Sequence, residues 1–165
     1  MILLIATEAR SAPERRIGPV EDLLERRDPS LEHALGLLMR VRHEAEQRSL
    51  SLAAAVVDSA GQLVASQRMD GAALGAMQLA VGKAFTAVLW GVRSGDFMRS
   101  TQPGGDDWGF NVTDPRIVVY AGGVPLFADG RLVGAVGASG GTAEEDEACV
   151  SAAAKAAGFE VSGAS

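Results

Sequence analysis

The chain has 165 residues, 47% of them hydrophobic and 22% charged, and a net charge of −6 at pH 7. These values fit one globular domain with its own core and exclude a disordered or collagen-like chain. The acidity, and the presence of only two lysines (Lys83 and Lys155), argue against a nucleic-acid-binding face and against a polybasic membrane patch.

Residues 1–28 read as an extension broken by Pro13, Gly18 and Pro19. Its apolar start, residues 1–6, lacks a basic flank and is short for a signal sequence. No apolar run in the chain approaches the ~20 residues of a membrane helix, so the expectation is a soluble, cytoplasmic protein. Residues 29–160 read as one domain, and residues 161–165 as a tail.

Asp28 and Pro29 signal a helix start, with Asp as the cap and Pro at the first helical position. Leu31, Leu35, Leu38, Val41 and Ala45 then keep helical spacing, which predicts a helix to about residue 49. Two strands, 52–57 and 63–69, flank the turn Asp58-Ser59-Ala60-Gly61. A second helix is predicted over 73–92. Its glycines, Gly75, Gly82 and Gly91, point to close approach of another element. Residues 94–116 form the least regular stretch and read as a long loop, of a kind that is often functional or disordered. Residues 117–121 read as a third strand. A further hairpin pairs 124–127 with 132–138 across Asp129-Gly130. Thr142 and Glu145 make a capping box for a last helix, which Gly158 stops. The order predicts an α+β fold with a largely antiparallel five-stranded sheet packed with helices.

Cys149, the only cysteine, excludes an internal disulfide and a cysteine zinc site, and among alanines it reads as buried and inert. Gly137-Ala138-Ser139-Gly140-Gly141 fits the G-x-S-x-G pattern of a nucleophile elbow. That chemistry needs a histidine after the serine, and both histidines, His33 and His43, lie upstream. No dinucleotide or P-loop glycine motif occurs. His33 and His43, ten residues apart on one helix, stand about 15 Å apart along its axis and cannot chelate one metal as a pair; no metal site is expected. Either could serve alone as a haem axial ligand. Arg68 and Asp70 share one face at the end of the second strand. Lys83, inside an otherwise apolar helix, must snorkel, pair with an acid, or carry a lowered pKa suited to catalysis.

A series of blocks then stands out: Arg68-Met69-Asp70-Gly71-Ala72, Gly82-Lys83-Ala84 with Thr86-Ala87, Gly122-Gly123-Val124-Pro125, and Ser139-Gly140-Gly141 before Asp146-Glu147. In this order they resemble the GlcG/HbpS-type haem-binding family, related to the C-terminal domain of PduO-type proteins. The resemblance covers about residues 31–158. It implies a profilin-like fold, a homo-oligomer, and a small-molecule ligand for which haem is the candidate cofactor. Arg68, Asp70, Lys83 and Thr86 fall in its motifs. The loop 103–115 reads as a variable wall, with Trp108 and Phe110 as apolar contacts and Thr113 as a polar one.

Three readings follow. The first is a small-molecule-binding protein holding haem or another tetrapyrrole near the first helix and the 100–115 loop, with His33 or His43 as ligand. The second is a cofactor-free isomerase, lyase or cyclase in which Lys83 acts as acid or base, tuned by Asp70, and Arg68 clamps an anion. The third is an oligomeric scaffold subunit.

Overall fold

The computed structural model describes residues 26–163; the expected extension therefore lies almost wholly outside the described residues. The elements run α1 (Leu31–Gln47), β1 (Ala53–Asp58), β2 (Leu63–Arg68), α2 (Ala76–Trp90), β3 (Gly123–Ala128), β4 (Arg131–Ser139) and α3 (Ala143–Ala156), with short 3₁₀ turns at Ser94–Phe97 and Phe110–Val112. The strands form one antiparallel sheet in the order β2-β1-β4-β3.

Strand alternation decides which helix covers which face. Ala54, Val56, Val124, Leu126, Val136 and Ala138 point to one side and pack with Leu37, Leu38 and Val41 of α1 and Cys149, Val150 and Ala153 of α3. Ala53, Ala55, Val57 and Ala135 point to the other side, against Ala76, Ala80, Ala84 and Ala87 of α2. The molecule is thus a sandwich with α1 and α3 on one face of the sheet and α2 on the other. The α2 contact is unusually close because it is built from small residues. At Gly137 a Cβ would stand 2.7 Å from the Ala84 nitrogen and against the Ala80 carbonyl, and at Gly123 one would run into the Lys83 carbonyl.

Four strands are present among the described residues, not five. The segment 117–121 has the composition of a strand but pairs with nothing in the sheet. The Thr86 hydroxyl accepts from Val118 N–H (2.8 Å) and donates to the Gly82 carbonyl (2.9 Å). The Ser94 hydroxyl donates to the Tyr120 carbonyl (2.6 Å) and accepts from Gly123 N–H (2.9 Å). Side chains of α2 and the turn after it satisfy polar groups that a ladder would otherwise take up.

The start of α1 also differs from expectation. Ser30 is the cap, accepting from His33 N–H, while Asp28 accepts from the backbone N–H (2.9 Å) and hydroxyl (2.6 Å) of Ser59. The Ser59 hydroxyl, followed by its N–H and Arg26, holds the Asp28 carboxyl below the ordinary aspartate range. Helix α2 begins at Ala76, three residues later than its periodicity suggests. Local signals elsewhere act as read. Asp129 and Gly130 both take positive φ (51° and 71°) between β3 and β4, and Thr142 and Glu145 cap α3 reciprocally. Past α3, Glu160 pairs with Phe127 of β3 and Val161 joins the core.

Candidate functional site: the groove between the first and last helices

The α1 sequence places His33, Gly36, Arg40 and His43 at steps of three and four residues, which puts all four on one side of the helix. That side faces the C-terminal end of α3. A cleft of about 430 Å³ is lined there by Glu32, His33, Gly36, Leu37, Arg40, Ala157 and Phe159. A neighbouring cleft of about 310 Å³ is lined by Met39, Arg40, His43, Glu44, Ala153 and Ala156. Arg40 borders both, so the clefts lie side by side along α1 as two halves of a groove, with a histidine in each.

The His33 half has the more defined geometry. His33 is exposed and lines the cleft, and its Nδ1 lies 2.7 Å from the Ser30 hydroxyl, which engages that nitrogen and leaves Nε2 as the one available to a ligand. Nothing stands within 4 Å of the place a Cβ would take at Gly36, so this patch of helix is open to a flat ligand. Ala157 and Phe159, both half-buried, supply apolar surface over the buried Leu37. An exposed stripe of Leu31, Leu35 and Met39 continues the apolar character of α1.

The other candidate residues are placed elsewhere. Arg68 and Asp70 are exposed and line a polar cleft with Arg42, Glu46, Gln67 and Met69, at the β2 edge of the sheet. Lys83 is buried, and its amine donates to Asp146 Oδ2 (2.7 Å) and to the Ala138 carbonyl (3.0 Å). Asp146 Oδ1 accepts from Gly141 N–H (2.9 Å). Burial pushes the Asp146 carboxyl above the ordinary aspartate range, against the opposing pull of Lys83 and the Gly141 N–H. The Lys83 amine is committed to Asp146 and Ala138, whereas Arg68 and Asp70 line a cleft that does not include it, so the three do not converge on one site. Thr86 is fully buried and its hydroxyl is committed to Gly82 and Val118.

The loop aromatics lie on the α2 face. Phe110 stacks on Phe97 (centroids 5.1 Å apart) and meets Trp90 edge-on at 5.5 Å. Trp108 is 64% exposed, and the Thr113 hydroxyl donates to the Phe110 carbonyl (2.7 Å). The sheet separates these residues from His33 and His43, so within one chain the first helix and the 100–115 loop do not share a pocket. Burial raises the pKa of the Cys149 thiol. Among the described residues no group of three or more His, Cys, Asp and Glu side chains could hold a metal ion, and no helix is long and apolar enough to cross a membrane.

Residues 30–155 match the family model described as haem degrading protein HbpS-like. The chain belongs to the HbpS-like family. This HbpS-like chain is 33% identical over 118 residues to an uncharacterized 15.0 kDa protein from the dhaT-dhaS intergenic region of Citrobacter freundii, covering 71% of this chain and 83% of that protein. It is 34% identical over 116 residues to the corrinoid adenosyltransferase PduO of Salmonella typhimurium, covering 69% of this chain but only 34% of PduO. Its fold superposes on the crystal structure of a PduOC–haem complex with a TM-score of 0.78 and 28% identity, covering 82% of this chain and 99% of that one.

Gly36, Arg40 and Phe159 line the groove beside the sequence candidates His33 and His43 without being among those candidates. For Gly36 and Arg40 the signal was present, since they complete the three-and-four spacing between the two histidines. Phe159 comes from beyond α3 and is brought there only by the tertiary fold.

Proposed function

We propose that this chain binds haem, or a closely similar tetrapyrrole, in the groove between α1 and α3, with His33 as the iron ligand. The observation that carries the reading is the conjunction of an exposed, Ser30-engaged imidazole with open backbone at Gly36 and half-buried apolar surface from Ala157 and Phe159. A flat macrocycle needs this combination: one ligand nitrogen, room for a ring edge, and an apolar surface. The match to a haem complex of a structurally similar protein supports it. Bound haem would supply redox-active iron at the protein surface.

Within the chain, Ser30 holds the His33 ring, Gly36 admits the ligand, and Phe159 shields one side of it from water. Its setting in a helix that also packs on the core makes the ligand platform rigid. The role that fits an open groove is uptake, sensing or handling of the tetrapyrrole.

The test is a titration of the purified protein with haem, followed by the Soret band. Wild-type protein should give a saturable, shifted band at one haem per chain. His33→Ala should abolish the shift, and His43→Ala should retain it. A band unchanged in both variants, or a non-saturable one in wild type, would overturn the assignment.

A further inference from the structure

We propose that Arg40 is the anion clamp of this groove, so that the site selects tetrapyrroles with free carboxylates over esterified or neutral ones. The inference rests on the haem reading above and adds a ligand class to it.

Arg40 is the one residue common to both halves of the groove. It is exposed, and among the described residues no carboxylate lies within ion-pair distance of it. Its neighbours on α1 are differently placed. Glu46 is held by Arg42 at 2.7 Å and Glu44 by Arg48 at 2.5 Å, so both nearby acids are already neutralised by other arginines. Glu32 shares the His33 cleft but stands two turns of helix, about 12 Å, from Arg40.

Position and charge both suit the role. Arg40 follows His33 by seven residues, about 10 Å along the helix and about 20° around it. A macrocycle held at His33 would have Arg40 within reach of its rim, where its carboxylates are attached. A guanidinium presents two parallel N–H donors that match a carboxylate, and it is always charged. The chain carries a net charge of −6, which repels a dianionic ligand. Arg40, with no carboxylate in ion-pair distance among the described residues, puts a positive charge in the groove where the ligand's charge would sit, although Glu32 and Glu44 also line it.

The test compares iron(III) protoporphyrin IX with its dimethyl ester, each titrated into the full chain and read by Soret absorbance and tryptophan quenching. Wild type should bind the free acid about tenfold or more tighter than the ester. Arg40→Gln should lower the affinity for the acid to that for the ester and leave the Soret maximum in place, because His33 is untouched. Arg40→Lys should restore part of the preference. Arg40 is exposed, so the variants should melt with wild type. If Arg40→Gln binds the acid as tightly as wild type does, or keeps the same preference, the clamp is overturned and the haem reading survives. If wild type binds neither ligand, the haem reading fails and the clamp fails with it.

Discussion

Lys83 of α2 and Asp146 of α3 meet at 2.7 Å although their helices lie on opposite faces of the sheet. They meet beyond the end of the sheet where β3 begins and β4 stops. Gly122 leaves room for the lysine: a Cβ there would come within 2.8 Å of the amine.

Lys83→Met should therefore be strongly destabilising, by about 3–5 kcal/mol, because it strands a buried carboxylate. The double variant Lys83→Met with Asp146→Leu should regain at least half of that loss. Urea melts of the two variants make the measurement. A single variant as stable as wild type would mean that the pair contributes nothing to the fold.

Gly137→Ala should be costly for a different reason. The added methyl has the Ala84 nitrogen 2.7 Å away and the Ala80 carbonyl against it, so α2 must move off the sheet. Overpacking of this kind costs about 1–3 kcal/mol, and more where backbone is the obstacle. Gly36→Ala is the matched control, since its methyl enters open space and replaces a helical glycine. Thermal melts should move in opposite directions for the two.

Thr86→Val keeps the shape of the side chain and removes its hydroxyl. Val118 N–H then loses its acceptor, a loss of about 1–3 kcal/mol if that N–H stays buried and unpaired. Hydrogen exchange should accelerate at Val118 and its neighbours while the protection of β1 and β4 is unchanged. Equal protection at Val118 in both proteins would show that another acceptor takes over.

Asp114 should titrate near pH 2. The Arg116 guanidinium and backbone N–H hydrogen-bond its carboxylate and lower its pKa to about 2 from an ordinary 3.8. The sign follows from linkage: the folded pKa lies below the unfolded one, so the contribution is present above pH 3.8 and is lost as pH falls toward 2. The group is solvent-exposed, so the effect on global stability is small. Carbon-detected NMR of the Asp114 carboxyl should show the low midpoint, and Arg116→Ala should return it toward 3.8.

Legibility in the sequence followed locality. The β3–β4 turn at Asp129-Gly130 and the capping box at Thr142 and Glu145 are determined within four residues, and both form as read. The segment 117–121 was misread as a strand because β-branched composition says nothing about where hydrogen bonds go. The acceptor for Val118 N–H is Thr86, 32 residues away. The same limit applies to Lys83. Its apolar helical neighbours leave snorkelling and pairing both open, and its partner lies 63 residues on, whereas Asp70 is nearer in sequence. At the groove, the α1 half could be read from spacing, whereas the Phe159 wall depends on how the chain turns back after α3.

The Lys83–Asp146 bond also joins two halves of the molecule that a flat sheet would keep apart. Helix α3 is fastened at its first turn to α2 and forms with its last turn part of the groove that α1 completes. Loosening of either helical layer thus has to drag the other with it. The domain should open as a single all-or-none unit, with the slowest-exchanging amides of α2 and α3 sharing one rate.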